Sequence, residues 1–139
     1  MPDTLAAELE DLSAEFEILG DWEERYRHII DLGRQLAPLD DAERTDANKV
    51  RGCASQVWLV TQPQADGTIT FKGDSDAHIV RGLVAIVLRL YSGRGRDEIL
   101  GFDAKKGFAE LGLAGALSAQ RSNGLASMVD RIRRDAEAA

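Results

Sequence analysis

Residues 55–91, SQVWLVTQPQADGTITFKGDSDAHIVRGLVAIVLRLY, decide the fold. Val57, Trp58, Leu59, Val60 and Thr61 form a β-branched and aromatic run, which predicts a strand from Ser55 to Thr61. PQADG at 63–67 then reverses the chain, since Asp66-Gly67 supplies the backbone that a tight hairpin needs. TITFKG at 68–73 alternates, so Ile69 and Phe71 share one face of the returning strand. After it the period changes. HIVRGLVAIVLRLY at 78–91 is apolar on nearly every side, which predicts a helix buried against several neighbours. Asp74, Ser75 and Asp76 precede it as candidate N-caps. Gly82 within it costs roughly 1 kcal/mol against alanine, and a tight packing contact is the reason to keep it.

Toward the N-terminus, Leu5, Leu9, Leu12, Phe16 and Leu19 recur at spacings of three and four, predicting an amphipathic helix from Thr4 to Ile18. Gly20 ends it. Asp21 in DWEE can cap a second helix, with Glu24 placed to return the bond. Its expected buried face is Trp22, Tyr26, Ile29, Ile30 and Leu36, and Pro38 marks its end. Residues 40–48 read as a polar loop, and Lys49 to Arg51 are expected to add a short third strand. Beyond the buried helix, residues 93–115 are glycine-rich with short helical pieces. A last helix, Ser122 to Ala136, presents Leu125, Met128, Val129 and Ile132. The expected fold class is α+β, a small antiparallel sheet of about three strands packed against helices. A length of 139 residues suits one domain spanning 1–139.

The net charge is −7, unevenly placed: residues 1–47 carry 14 acidic and 4 basic side chains, residues 48–139 carry 10 and 13. A negative chain repels phosphate backbones, so nucleic acid is not the expected partner. The basic run DRIRR at 130–134 reads as a solvated helix face. The asymmetry can orient a protein partner by long-range steering, which rising ionic strength would weaken. The acidic start MPDTLAAELEDL lacks the basic and apolar regions of a secretory signal. LVAIVL at 83–88 is far shorter than the roughly 20 residues that cross a bilayer. A soluble, cytoplasmic protein without membrane association is the expectation. The single cysteine excludes an internal disulfide, which suits a reducing compartment.

Few residues carry recognisable chemistry. Gly93-Arg-Gly95 followed by Gly101 has the wrong spacing for a dinucleotide loop. His28, Cys53 and His78 have no metal-ligand spacing, so no metal is expected. No nucleophile-elbow pattern supports a serine triad. Asp74 and Asp76 as a pair suggest acid–base work, but their place before a helix favours capping. Cys53 admits two readings. It is a small buried hydrophobe, or it is a reactive thiol on the loop KVRGCASQ, where Gly52 gives the backbone freedom and Lys49 and Arg51 favour the thiolate.

GCASQVWLV, GDSDAHIVRGL and RSNGLASM, together with DWEERYRHIIDLG, resemble in order the SufE family of sulfur-acceptor proteins, from about Phe16 to Ile132. The resemblance implies a persulfide relay in iron–sulfur cluster assembly. A pyridoxal-phosphate cysteine desulfurase, SufS-like or CsdA-like, would hand sulfur from its own persulfide to Cys53. The chain would stimulate that enzyme and pass the sulfur to a cluster scaffold. It would act as a sulfur-transfer partner without a cofactor of its own, as a monomer or weak homodimer, and not as a stand-alone enzyme. The family's fold is similar to that of the IscU-type scaffolds, but one cysteine cannot supply the several ligands a cluster needs. The resemblance also implies a loop whose thiol rests under apolar neighbours and swings out in the complex. It implies an orienting or docking role for Asp74 and Arg121, a loop hinge at Gly52, a turn bond from Ser55 and a core anchor in Trp58. A reading from another class is a binding module that activates a desulfurase allosterically, with Cys53 only packing.

Overall fold

The computed structural model describes residues 4–113 and 117–139, so residues 114 and 115 of the glycine-rich stretch lie outside the described residues. The reversal at Asp66-Gly67 joins β1 (Val57–Pro63) to β2 (Thr68–Ser75). Gly67 takes a φ of 90°, and Asp66 Oδ1 accepts hydrogen bonds from both the amide and the hydroxyl of Thr68. A turn held in this way fixes the register of the strands it joins. Pairing runs antiparallel from Val57 opposite Ser75 to Pro63 opposite Ile69. Alternation then buries Val57 and Leu59 of β1 with Ile69 and Phe71 of β2.

The third strand is not Lys49 to Arg51. Lys49 makes one isolated bridge to Trp58, and the chain turns away at Arg51. Instead β3 is the pair Arg94–Gly95, antiparallel to β2 through Thr68 and Ile69. Gly93, at a φ of 82°, turns the chain back so that its amide donates to Ile69 O at 2.8 Å. Two residues carry no period to read. The sheet order is β1-β2-β3.

Helix α3 (His78–Tyr91) lies on this sheet with most of its residues buried, as its all-round apolar pattern predicts. A Cβ on Gly73 of β2 would meet Val84 Cγ1 at 2.6 Å, so strand and helix are in near-backbone contact. Helix α2 (Trp22–Arg34) crosses α3 at two facing glycines. A Cβ at Gly82 would sit 2.1 Å from Ile29 O, and one at Gly33 would sit 2.6 Å from Gly82 N. The tight contact inferred for Gly82 is therefore with the backbone of α2. Helix α1 (Leu5–Ile18) buries Leu5, Leu9, Leu12 and Phe16. It is tied to α3 by ion pairs from Arg89 to Glu8 and Glu15. His28 of α2 joins Glu15 at 3.0 Å. Short helices α4 (Arg96–Gly101) and α5 (Ala104–Glu110) lead to α6 (Ala119–Ala138), which buries Leu125, Met128, Val129 and Ile132. Among the described residues, no helix is long and apolar enough to cross a membrane.

Three local expectations are corrected. Asp74, Ser75 and Asp76 do not cap α3, because β2 runs through Ser75 and Ala77 takes the cap position without a side-chain bond. Tyr26 is 37% exposed and lies under the Arg121 guanidinium, outside the core; of the five residues assigned to that face, Ile29 alone is fully buried. At the start of α2, Asp21 Oδ1 accepts from the Glu24 amide at 2.9 Å as expected. The return bond from Glu24 reaches the amide of Gly20, one residue before the cap.

Candidate functional site

The reactive-loop candidate is closed at its base by the strand that follows it. The Val50 amide donates to Val57 O at 2.8 Å, and the Leu59 amide donates to Asn48 O at 2.8 Å. At the far end, the Gln56 amide donates to Asp76 Oδ1 at 3.1 Å. Residues 51–55 between these ties have no regular structure. Gly52 has a φ of 91°, a region that side chains disfavour, and a Cβ there would meet Ser127 Oγ at 2.5 Å.

Cys53 is half-buried and rests on α6, its thiol donating to Gly124 O at 3.6 Å. Gly124 makes room for it, since a Cβ at that position would already stand 3.6 Å from the sulfur. Burial pushes the thiol above its ordinary value, because the thiolate loses hydration there. Among the described residues, no cationic side chain forms a bond to the sulfur to offset this. Arg51 points to solvent. Beside the loop lies a cavity of about 140 Å³, walled by Ala54, Ser55, Ile79, Leu83, Arg121 and Gly124 among others. With a water-sized group occupying roughly 30 Å³, it has space for a few such groups.

The stem of the loop is held differently from its tip. Arg131 of α6 donates from Nη2 to Ala47 O at 2.8 Å and from Nη1 to Lys49 O at 3.2 Å. Its Nε pairs with Asp135, whose Oδ2 also accepts from the Thr61 hydroxyl at 2.7 Å. Sequence reasoning missed this arginine by taking residues 130–134 as one solvated face. The signal was the spacing of Gly124, Ser127 and Arg131, which places all three on one side of a helix.

The other sequence-assigned residues separate. Arg121, in the first turn of α6, lines the cavity and stacks over Tyr26 at 5.7 Å. Ser55 also lines the cavity, but it forms no hydrogen bond among the described residues. Trp58 is half-buried beneath Arg44, at 5.6 Å, on the face of β1 opposite to Val57 and Leu59, so it is not a core anchor. Asp74 is buried and forms no bond to the thiol among the described residues. Arg44 Nη2 pairs with its Oδ2 at 2.7 Å and Arg81 Nε with its Oδ1 at 3.3 Å, while the Leu39 and Ser75 amides also donate to it. It thus pins the segment after α2 to α3. Among the described residues, no cluster of three His, Cys, Asp or Glu side chains could hold a metal ion.

The protonation of Asp74 makes a testable stability term. Burial alone would raise its carboxyl, but the bonds from Arg44, Ser75 and Leu39 and the charge of Arg81 outweigh burial and hold it below 3.8. A depressed folded value stabilises the protein above the unfolded value and is lost as pH falls through the folded one. Asp74→Asn should therefore cost about 2 kcal/mol at neutral pH. The deficit should shrink toward about pH 3, measured by urea unfolding at both.

The profile of the SufE family, described as a Fe–S metabolism associated domain, matches residues 10–136. An uncharacterized SufE-like protein of Rhizobium etli is 54% identical over 134 residues, covering 94% of this chain and 90% of the relative. An uncharacterized SufE-like protein of Rhizobium meliloti is 51% identical over 132 residues, covering 93% and 94%. The solution structure of a hypothetical protein from Thermus thermophilus superposes with a TM-score of 0.76 at 14% identity, covering 94% of this chain and 93% of that one, a likeness of fold alone. The chain belongs to the SufE family, whose domain is associated with iron–sulfur metabolism.

Proposed function

We propose that the chain is a sulfur acceptor, which takes persulfide sulfur from a cysteine desulfurase onto Cys53, stimulates that enzyme and passes the sulfur to an iron–sulfur scaffold. The Cys53 thiolate attacks the outer sulfur of the donor's Cys–S–S⁻. One S–S bond forms, the donor's S–S bond breaks, and the donor cysteine leaves as a thiolate. The transferred sulfur keeps its oxidation level, so the step needs no oxidant. Pyridoxal phosphate belongs to the donor, where it releases sulfur from free cysteine; the acceptor needs no cofactor. The reducing cytoplasm suits a carrier with a free thiol.

The observation that carries this reading is the setting of Cys53, the chain's one thiol, half-buried on five residues without regular structure between fixed ends. At rest the protonated thiol is slow to react and protected from oxidation. Leaving the cover of α6 would lower its pKa and expose it together. With no second cysteine, nothing in the chain can attack the persulfide and release sulfide.

Incubation with a cysteine desulfurase and free cysteine, then alkylation and tryptic digestion, tests the proposal. Trypsin releases residues 52–72 as the peptide that carries Cys53. One extra sulfur on that peptide is the expected result. An unmodified peptide beside a fully loaded donor would exclude the relay.

A further inference from the structure

Three positions along one face of α6 meet three successive parts of the reactive loop. Gly124 lies under Cys53, Ser127 under Gly52, and Arg131 under Lys49 and Ala47. The spacing of three and four residues keeps these positions in line on the helix while the loop runs antiparallel above them. The strength of the contacts changes along this line. At the tip there is a long S–H···O contact of 3.6 Å and a glycine against a serine. At the stem a guanidinium makes two charge-assisted bonds to backbone carbonyls, at 2.8 and 3.2 Å. Asp135, itself bonded to Thr61 of β1, holds that guanidinium in place.

We propose that Arg131 is a positioning residue for Cys53, fixing the stem of the loop on α6 so that movement is confined to residues 51–55. This rests on the sulfur-acceptor reading, in which Cys53 is the reacting group. Arg131 never touches the sulfur. It sets where the loop pivots, and so decides how much of the time the thiol lies under cover. Without it, the Ala47 and Lys49 carbonyls lose their tie to α6, and the stem is held by the β1 pairing and by the bonds of Asn48 and Lys49 to residues 43–46.

Alkylation of Cys53 by iodoacetamide in the folded full-length protein reads this directly, without any desulfurase. Arg131→Ala should react about tenfold faster than the unaltered protein at neutral pH, the order expected when bonds to a charged group are lost. Its pH midpoint for alkylation should fall toward that of an ordinary thiol, as the sulfur leaves the cover that raises it. Arg131→Lys cannot span both carbonyls and Asp135, so it should fall between the two. Arg133→Ala serves as the control, because Arg133 donates to Leu100 O, away from the loop. It should lose stability without changing the alkylation rate or its midpoint. The proposal is overturned if Arg131→Ala reacts within twofold of the unaltered protein. It is also overturned if Arg133→Ala speeds alkylation equally for the same loss of urea stability. Should Arg131→Ala fail to fold, Arg131→Lys and Asp135→Asn decide by the same two readings. Failure of the unaltered protein to take up sulfur would count against the relay and leave these alkylation results standing.

Discussion

A Cys53→Ser variant takes up no sulfur from a loaded desulfurase and folds as the unaltered protein does. The first half follows from composition, because no other thiol exists to substitute for Cys53. A hydroxyl is too weakly acidic and too poor a sulfur nucleophile to attack a persulfide at neutral pH. The second half follows from the site. Serine is slightly smaller, its hydroxyl can donate to Gly124 O as the thiol does, and the position is half exposed. The change in stability should stay within about 1 kcal/mol. Sulfur on the peptide should fall to background, with the urea midpoint almost unmoved. Stimulation of the desulfurase should disappear with the sulfur. If the serine variant stimulates fully, docking alone activates the enzyme, and Cys53 is packing.

Gly82→Ala should destabilise the protein by about 3 kcal/mol, at the upper end of overpacking costs. Helix propensity alone predicts the opposite, a gain of about 1 kcal/mol. The contact decides the sign. The added methyl would stand 2.1 Å from Ile29 O and 2.5 Å from Ile29 Cγ2, where real Cβ contacts below 3.0 Å are essentially unknown. The obstacle is backbone, so no rotamer change relieves it, and α2 must move away from α3. A protein of ordinary stability, about 5–15 kcal/mol, would lose a large part of its margin. Gly101→Ala is the matched control, since nothing lies within 4 Å of its added Cβ. It should be neutral or slightly stabilising in the same urea titration. Equal stability of both variants would mean that the two helices do not meet at their backbones.

The elements that the sequence predicts well are those whose periodicity is itself a record of burial. The 78–91 stretch is apolar on all sides because α3 is covered by the sheet, α1, α2 and α6. The hairpin was legible because Asp66-Gly67 is a local device that needs no partner. The misses are those where distant contacts decide. Arg94–Gly95 pairs with β2 only because Gly93 turns the chain from α3 back to the sheet. Tyr26 follows the apolar stripe of α2, yet Arg121, nearly a hundred residues later, gives it a cation to lie beneath. In the site, Cys53 and Gly52 could be chosen from their neighbours in the chain. The lack of a cationic bond to the sulfur among the described residues could not, because distance and hydration set it. Nor could the work of 131–134. Arg131 clasps the loop, Arg133 reaches Leu100 O and Arg134 lines a pocket with Arg131, Val50 and Arg51, so a short run of like charge conceals separate tasks.

The hydrogen bond from Val50 to Val57 gives Cys53 a short tether. Arg51 and Gly52 are the two residues between Val50 and Cys53, so three steps of at most about 3.6 Å each span the gap. Even completely unfurled, the Cα of Cys53 can lie only about 11 Å from that of Val50, with the sulfur one side chain beyond it. It cannot fish for sulfur inside a deep cleft. Under the proposed relay, a donor would have to bring its cargo close to its own surface, on an arm or at a shallow mouth, so that the two bodies meet at their boundary.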